Sequence, residues 1–216
     1  MKTELSIIAL AAAAGLASAS IADLRITEAY PGIDGEDGTA DWIELTNTGA
    51  SDVDLSGLFY DDGSLTSAAG GTLKGRVLGA GKSIIVIVDV DAEDQADAVA
   101  EFAAVWGSNI RAFATVGGGL SQNGENLGIL DAFDNIITQV TLPGVPDGNT
   151  ATVAFDFAGN PSLSALGVNG AFESNAFFDD DAPGVAITLI GSPVPAPAAA
   201  GLLGLAGLAA SRRRRA

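Results

Sequence analysis

The stretch Asp41-Trp42-Ile43-Glu44-Leu45-Thr46-Asn47-Thr48-Gly49 decides the fold. Side chains on a strand alternate between faces, so Trp42 and Ile43 point to opposite sides, as do Glu44 and Leu45. Trp, Ile and Thr are strand formers. Asn47 and Gly49 suit a turn with positive φ. Val53, Leu55 and Leu58-Phe59-Tyr60 follow, closed by Asp61-Asp62-Gly63, which lets Leu55 and Leu58 pack back onto the sheet. Core and turn roles account for these positions.

The same grammar extends in both directions. Upstream, Leu24, Ile26 and Glu28-Ala29 make a short alternating run, followed by a Gly/Asp-rich loop from Pro31 to Ala40. Downstream, Ser83-Ile84-Ile85-Val86-Ile87-Val88 is an unbroken β-branched run, the pattern of a strand buried on both faces. Ala92 to Trp106 is the one helical stretch. Ala96, Val99, Phe102-Ala103 and Trp106 recur at helical spacing, and Asp91, Glu93, Asp94 and Asp97 crowd the first turns, where the dipole favours acids. Further strands are predicted around Ala112 to Val116, Leu127 to Leu130, Ile136 to Thr141, Thr152 to Phe157 and Val185 to Ile190. Short strands at regular spacing with a single short helix predict a mainly all-β chain folded as an antiparallel β-sandwich.

Composition narrows the chemistry. The 216 residues carry 10 Lys and Arg against 27 Asp and Glu, a formal net charge of −17, with no Cys and no His. Such a surface repels nucleic acid phosphates and attracts divalent cations. Without Cys or His there is no thiol or Ser–His nucleophile and no Cys/His zinc site. Carboxylates, carbonyls and hydroxyls remain, and these suit calcium or magnesium.

Few motifs survive inspection. Gly81-Lys82-Ser83 ends like a P-loop, but the glycine required five residues earlier is Arg76, and a β-branched run follows where a helix is needed. Gly117-Gly118-Gly119 lacks the third glycine of a dinucleotide fingerprint, since Gln122 stands there. The acidic clusters are the remaining candidates: Asp34, Glu36 and Asp37 in a loop, Asp89, Asp91, Glu93 and Asp94 before the helix, and Asp179-Asp180-Asp181. Each offers oxygens to Ca²⁺, the first cluster best, yet none fits an EF-hand register, and a solvated acidic face explains them as well. A carboxylate pair for hydrolysis requires a fixed separation, which sequence does not show.

Both ends carry address labels. Met1-Lys2 and the apolar run Leu5 to Leu16 precede Ala17-Ser18-Ala19, an A-x-A cleavage site, with Ala22 closing a second one, so residues 1–22 read as a helical secretory signal peptide for signal peptidase. At the other end, Val194-Pro195-Ala196-Pro197 precedes an apolar helical run, Ala198 to Ala210, and then Arg212-Arg213-Arg214-Arg215. Such arginines stay on the cytoplasmic side of a membrane while the apolar segment enters it. The tail, residues 192–216, resembles the PEP-CTERM sorting signal processed by exosortases, with Ala196 where that signal usually has glutamate. Its apolar run is shorter than the ~20 residues that span a bilayer.

Between the labels, residues 23–191 form one domain. Ile26-Thr27-Glu28, the Asp41–Gly49 stretch and Val53-Asp54-Leu55-Ser56-Gly57-Leu58 resemble the opening of a lamin-tail domain. Leu78 to Ser83, Phe102 to Gly107, and Leu120 to Leu127 followed by Leu130 to Asn135 keep that family's order, so the resemblance covers roughly Leu24 to Leu142. It implies an immunoglobulin-like fold and an interaction role without catalysis. The expectation is an exported structural or adhesive module at the cell surface or in the extracellular matrix, meeting polysaccharide or surface proteins, with no cofactor and no catalytic residue. A calcium-dependent carbohydrate- or protein-binding module is the alternative, and a carboxylate hydrolase the third reading.

Overall fold

The computed structural model describes residues 21–32, 40–145, 152–165 and 168, and the backbone of 172–173 and 189–190. After a 3-10 turn, Ile21–Asp23, come β1 (Leu24–Tyr30), β2 (Trp42–Asn47), β3 (Val53–Asp54), β4 (Leu58–Asp62), β5 (Gly71–Thr72), β6 (Val77–Leu78) and β7 (Ser83–Ile87). Helix α1 (Gln95–Trp106) precedes β8 (Ala112–Ala114), β9 (Glu125–Asp131), β10 (Ile136–Leu142), β11 (Val153–Phe155), β12 (Pro161–Leu163), β13 (Phe172–Glu173) and β14 (Leu189–Ile190).

Two sheets make an immunoglobulin-like sandwich. The larger runs β12-β11-β1-β2-β7-β8 and the smaller β10-β9-β4-β5. Their facing sides share one core: Ile26 and Ala29 of β1, Ile43 and Leu45 of β2, and Ile84 and Val86 of β7 meet Tyr60 of β4, Ile129 of β9 and Val140 of β10. Alternation in β2 does what the sequence predicts, since Ile43 joins this core while Trp42 joins a second cluster on the opposite side. The β-branched run is buried on both faces, as expected: Ile84 and Val86 point inward, Ile85 and Ile87 outward. Because β11 and β12 pair beyond β1, the chain past Pro143 supplies the outer strands of the large sheet.

Three expectations need correction. First, the sandwich is not wholly antiparallel: β8 pairs with β7 in parallel. A parallel neighbour needs a long crossover, and α1 provides it. Second, α1 starts at Gln95, so Asp91 and Glu93 precede it and only Asp97 is an acid of its first turn. Its buried stripe is Ala98, Phe102, Val105 and Trp106, with Ala96 exposed, because the aromatic residues of β1 and β2 set which face docks. Third, the turn after β2 does not use positive φ at Asn47 or Gly49. Buried Asn47 accepts the Gly49 N–H at 2.9 Å and donates to the carbonyls of Ser51 and Leu78 at 2.8 and 2.9 Å. Gly49 is needed for space, since a Cβ there would lie 2.7 Å from an Asp23 carboxylate oxygen. The last predicted strand, Val185 to Ile190, is strand at Leu189–Ile190, and the rest of it lies outside the described residues.

Candidate functional site

The outer face of the large sheet divides into an aromatic half and a polar half. In the aromatic half, Tyr30 and Trp42 are neighbours across β1 and β2 and meet Phe102 and Trp106 of α1. The Trp42 and Trp106 rings stand edge to face, 5.6 Å between centroids, and Trp42 meets Phe102 the same way at 6.0 Å. Edge-to-face rings place a positive rim against a negative face. Both indole N–H groups are buried without an acceptor among the described residues. This half is packing: it seats the helix that makes the parallel crossover.

The polar half is built by a bulge. The β1–β2 register shifts between Ile26 and Glu28, which leaves Thr27 as the extra residue. Ile26 faces the core, while Thr27 and Glu28 both reach outer-face partners. Thr27 Oγ1 donates to Glu44 Oε1 at 2.6 Å and lies 2.7 Å from Thr46 Oγ1, which in turn lies 2.6 Å from Ser83 Oγ. Across the strand, Glu28 Oε1 accepts from the Thr152 hydroxyl and from Ser164 Oγ at 3.0 Å. Five hydroxyls from separate segments thus hold two carboxyl groups.

Glu28 and Glu44 are directly opposed and only 1% and 4% exposed. Burial pushes the Glu44 carboxyl up to about 7, against the opposing pull of hydrogen bonds from Thr27, Thr46 and Ser83. The physical reason is that a buried charge costs more than a buried neutral acid. A raised acid opposite a second carboxyl has the outline of a hydrolytic pair. Burial opposes that use, because neither group is open to a substrate and Oε1 of each is engaged by local hydroxyls. The arrangement can hold a proton within the sheet.

A second acidic cluster surrounds the glycine loop. Leu120 N–H donates to Asp41 Oδ2 at 2.5 Å. A Cβ at Gly118 would lie 2.1 Å from Asp62 Oδ1, and one at Gly119 would meet Asp89 and Asp41 oxygens at 3.1 and 3.2 Å. Here glycine permits close approach of the loop to three carboxylates. Carboxylates this close to the loop would repel a phosphate group. Burial first, then Asp62, Glu125, Asp41 and Asp61, raises the Tyr60 hydroxyl. Burial and neighbouring Asp62 raise Glu125, opposed by the Ser121 N–H. Among the described residues, no three acids are grouped so as to hold a metal ion.

The sequence-predicted sites fall unevenly on this structure. Asp34, Glu36, Asp37 and Asp179-Asp180-Asp181 lie outside the described residues, as do Ala17, Ala19, Val194 to Pro197 and Arg212 to Arg215. Ala22 lies exposed in the 3-10 turn. Asp91, Glu93 and Asp94 are exposed, and Asp89 turns with φ 56° toward the glycine loop instead of joining them. Gly79 to Ser83 is the turn from β6 into β7, with Lys82 N–H donating to Gly79 at 3.1 Å. The Glu28–Glu44 pairing was missed. Its signal is the Ile-Thr-Glu run facing Ile-Glu-Leu-Thr, but pairing requires the bulge, which alternation alone does not reveal.

The sheet order, the inward and outward alternation and the crossover helix α1 define an immunoglobulin-like β domain. The family model described as Lamin Tail Domain matches residues 17–144, more than half of the 216. The chain belongs to the lamin tail domain family. No curated protein and no solved structure matches it.

Proposed function

We propose that this protein is an exported, non-enzymatic structural or adhesive module of the cell surface or extracellular matrix, delivered by residues 1–22 and sorted by an exosortase acting on residues 192–216. The observation that supports the non-enzymatic part is the lamin-tail sandwich itself, in which the opposed Glu28 and Glu44 are buried on the sheet. The net charge of −17 suits a hydrated, polysaccharide-rich surrounding and disfavours nucleic acid. No cofactor is needed for this role. Among the described residues no helix is long and apolar enough to cross a membrane; attachment before processing is assigned to the tail on its sequence, Ala198 to Ala210 followed by Arg212–Arg215.

Intact mass of the protein recovered from cells and from medium tests the reading. The expected product has lost roughly 2 kDa at the N-terminus and the arginine block Arg212–Arg215. Recovery of a mature product that retains those arginines overturns sorting and leaves a plain tethered domain. A rise in melting temperature with added calcium, at concentrations where magnesium has no effect, would favour the metal-dependent binding module instead.

A further inference from the structure

Outside residues 1–22 and 192–216 the chain has five cationic side chains, Arg25, Lys74, Arg76, Lys82 and Arg111. Two of them, Arg76 and Arg111, come within electrostatic reach of one another at one edge of the sandwich. Arg76 leads into β6, and Arg111 into β8, the last strand of the large sheet among the described residues. Backbone pairing extends to both, since Leu55 N–H donates to the Arg76 carbonyl at 2.8 Å and Ile85 N–H to the Arg111 carbonyl at 2.9 Å. Alternation then puts Arg76 on the side of Leu78 and Arg111 on the side of Phe113, both core residues. Lys74 lies on the same β5–β6 turn as Arg76, and both Lys74 and Arg111 are exposed.

The Arg76 guanidinium carbon lies 4.2 Å from the centre of the Phe113 ring. The ring face attracts the cation and sets the plane of the guanidinium. Nε of Arg76 is buried without an acceptor, whereas its terminal nitrogens are not buried. Lys74, Arg76 and Arg111 form no ion pair among the described residues. Burial first, then the Arg111 charge, holds the Arg76 guanidinium below its ordinary value, and no carboxylate offsets them. The chain carries 27 acids, yet none of the described ones is set against this pair. Like charges that share a site without a counter-ion repel. A bound anion would relieve that repulsion and meet donors that are otherwise unused.

We propose that Arg76 and Arg111, with Lys74 at the margin, bind the carboxylate groups of an acidic polysaccharide. A planar guanidinium matches a carboxylate in shape and charge. The net charge of −17 repels dense polyanions such as nucleic acid at long range. A polysaccharide with one carboxylate on each otherwise neutral ring meets less of that repulsion. So few cations on an open edge hold a single carboxylate weakly. A polymer that repeats the group engages many copies of a surface protein at once, and avidity follows. The choice of a polysaccharide over an acidic peptide rests on the surface or matrix role proposed above and gives that role its ligand class. Binding by the purified chain is read separately from export and sorting in cells.

The test is biolayer interferometry of the purified full chain on immobilised polygalacturonate, neutral dextran and polyglutamate. A chelator removes calcium bridges, and physiological salt screens long-range repulsion beyond about 8 Å. Arg212 to Arg215 are changed to glutamine throughout, so that the tail does not contribute. The expected result is binding to polygalacturonate, none to dextran and less to polyglutamate. Arg76→Gln with Arg111→Gln should weaken binding at least about fivefold. Arg111→Gln alone, at an exposed position, should weaken it with the fold intact by circular dichroism. Lys82→Gln removes the same charge outside the pair and should leave binding in place. No binding to polygalacturonate, unchanged binding in the double variant, an equal loss in Lys82→Gln, or polyglutamate bound as tightly would each overturn the proposal.

Discussion

Glu28 and Glu44 stand directly opposite one another on neighbouring antiparallel strands, each nearly fully buried and each held by hydroxyls from a different side of the sheet. Like charges so placed repel. A sheet that folds around them is most comfortable when one holds a proton.

Stability should therefore fall as pH rises through neutrality. The Glu44 carboxyl is pushed from 4.5 to about 7 in the fold. With the folded value above the unfolded one, its contribution is fully present below about 4.5 and is lost as pH rises toward and past 7. The span corresponds to about 3 kcal/mol as an upper figure. Denaturant melts from pH 5 to pH 8 should show the decline, and Glu44→Gln should flatten it while raising stability at pH 8. An unchanged slope in the variant would assign the effect elsewhere.

Trp106 and Phe102 anchor the crossover helix to the sheet. Truncating either to alanine should cost about 3–5 kcal/mol, the usual range for a buried aromatic. Trp106→Ala should also abolish the near-UV circular dichroism from the edge-to-face contact with Trp42. A loss under about 1 kcal/mol would show that the helix is dispensable to the sandwich.

Two glycines should respond to alanine for different reasons. A Cβ at Gly71 would lie 1.7 Å from the Val116 carbonyl oxygen, backbone that cannot yield cheaply. Gly71→Ala should cost about 2 kcal/mol or more through displacement of β5. Gly57 has φ +74° and open space around it, so Gly57→Ala should cost only about 1–2 kcal/mol, the left-handed penalty. Urea midpoints of the two variants would rank them.

The turns Asp131 to Asn135 and Asp156 to Asn160 predict an acid-side signature. Side-chain Asn135, then backbone N–H groups, hold Asp131 below its ordinary value, and Asn160 does the same for Asp156. Their contribution is present above the unfolded value and is lost as pH falls through the folded one. Carboxyl ¹³C titration should place both below a typical exposed aspartate. Asn135→Ala should move Asp131 upward and leave Asp156 in place.

Much of the fold was legible in the chain. Period-two alternation over Trp42–Asn47 and the β-branched run Ser83–Ile87 named strands and faces correctly, because burial of one or both faces writes itself directly into residue type. The end of α1 was legible too, since Gly107 takes φ 117° and closes onto Ala103. The candidate sites were not legible. Glu28 meets Glu44 only because a bulge at Thr27 shifts the register by one residue, and a one-residue slip reassigns every face beyond it.

By itself the sequence determined the class of fold, the alternation that sorts core from surface, the acidic balance, and the exclusion of cysteine and histidine chemistry. Those are properties of local pattern and composition. Only the tertiary structure decided that β8 runs parallel, that α1 buries Phe102 and Trp106 against Tyr30 and Trp42, that two glutamates share one covered face, and that β10 is left at an edge. Each depends on which distant segments become neighbours, and that is set by register and packing between strands far apart in the chain.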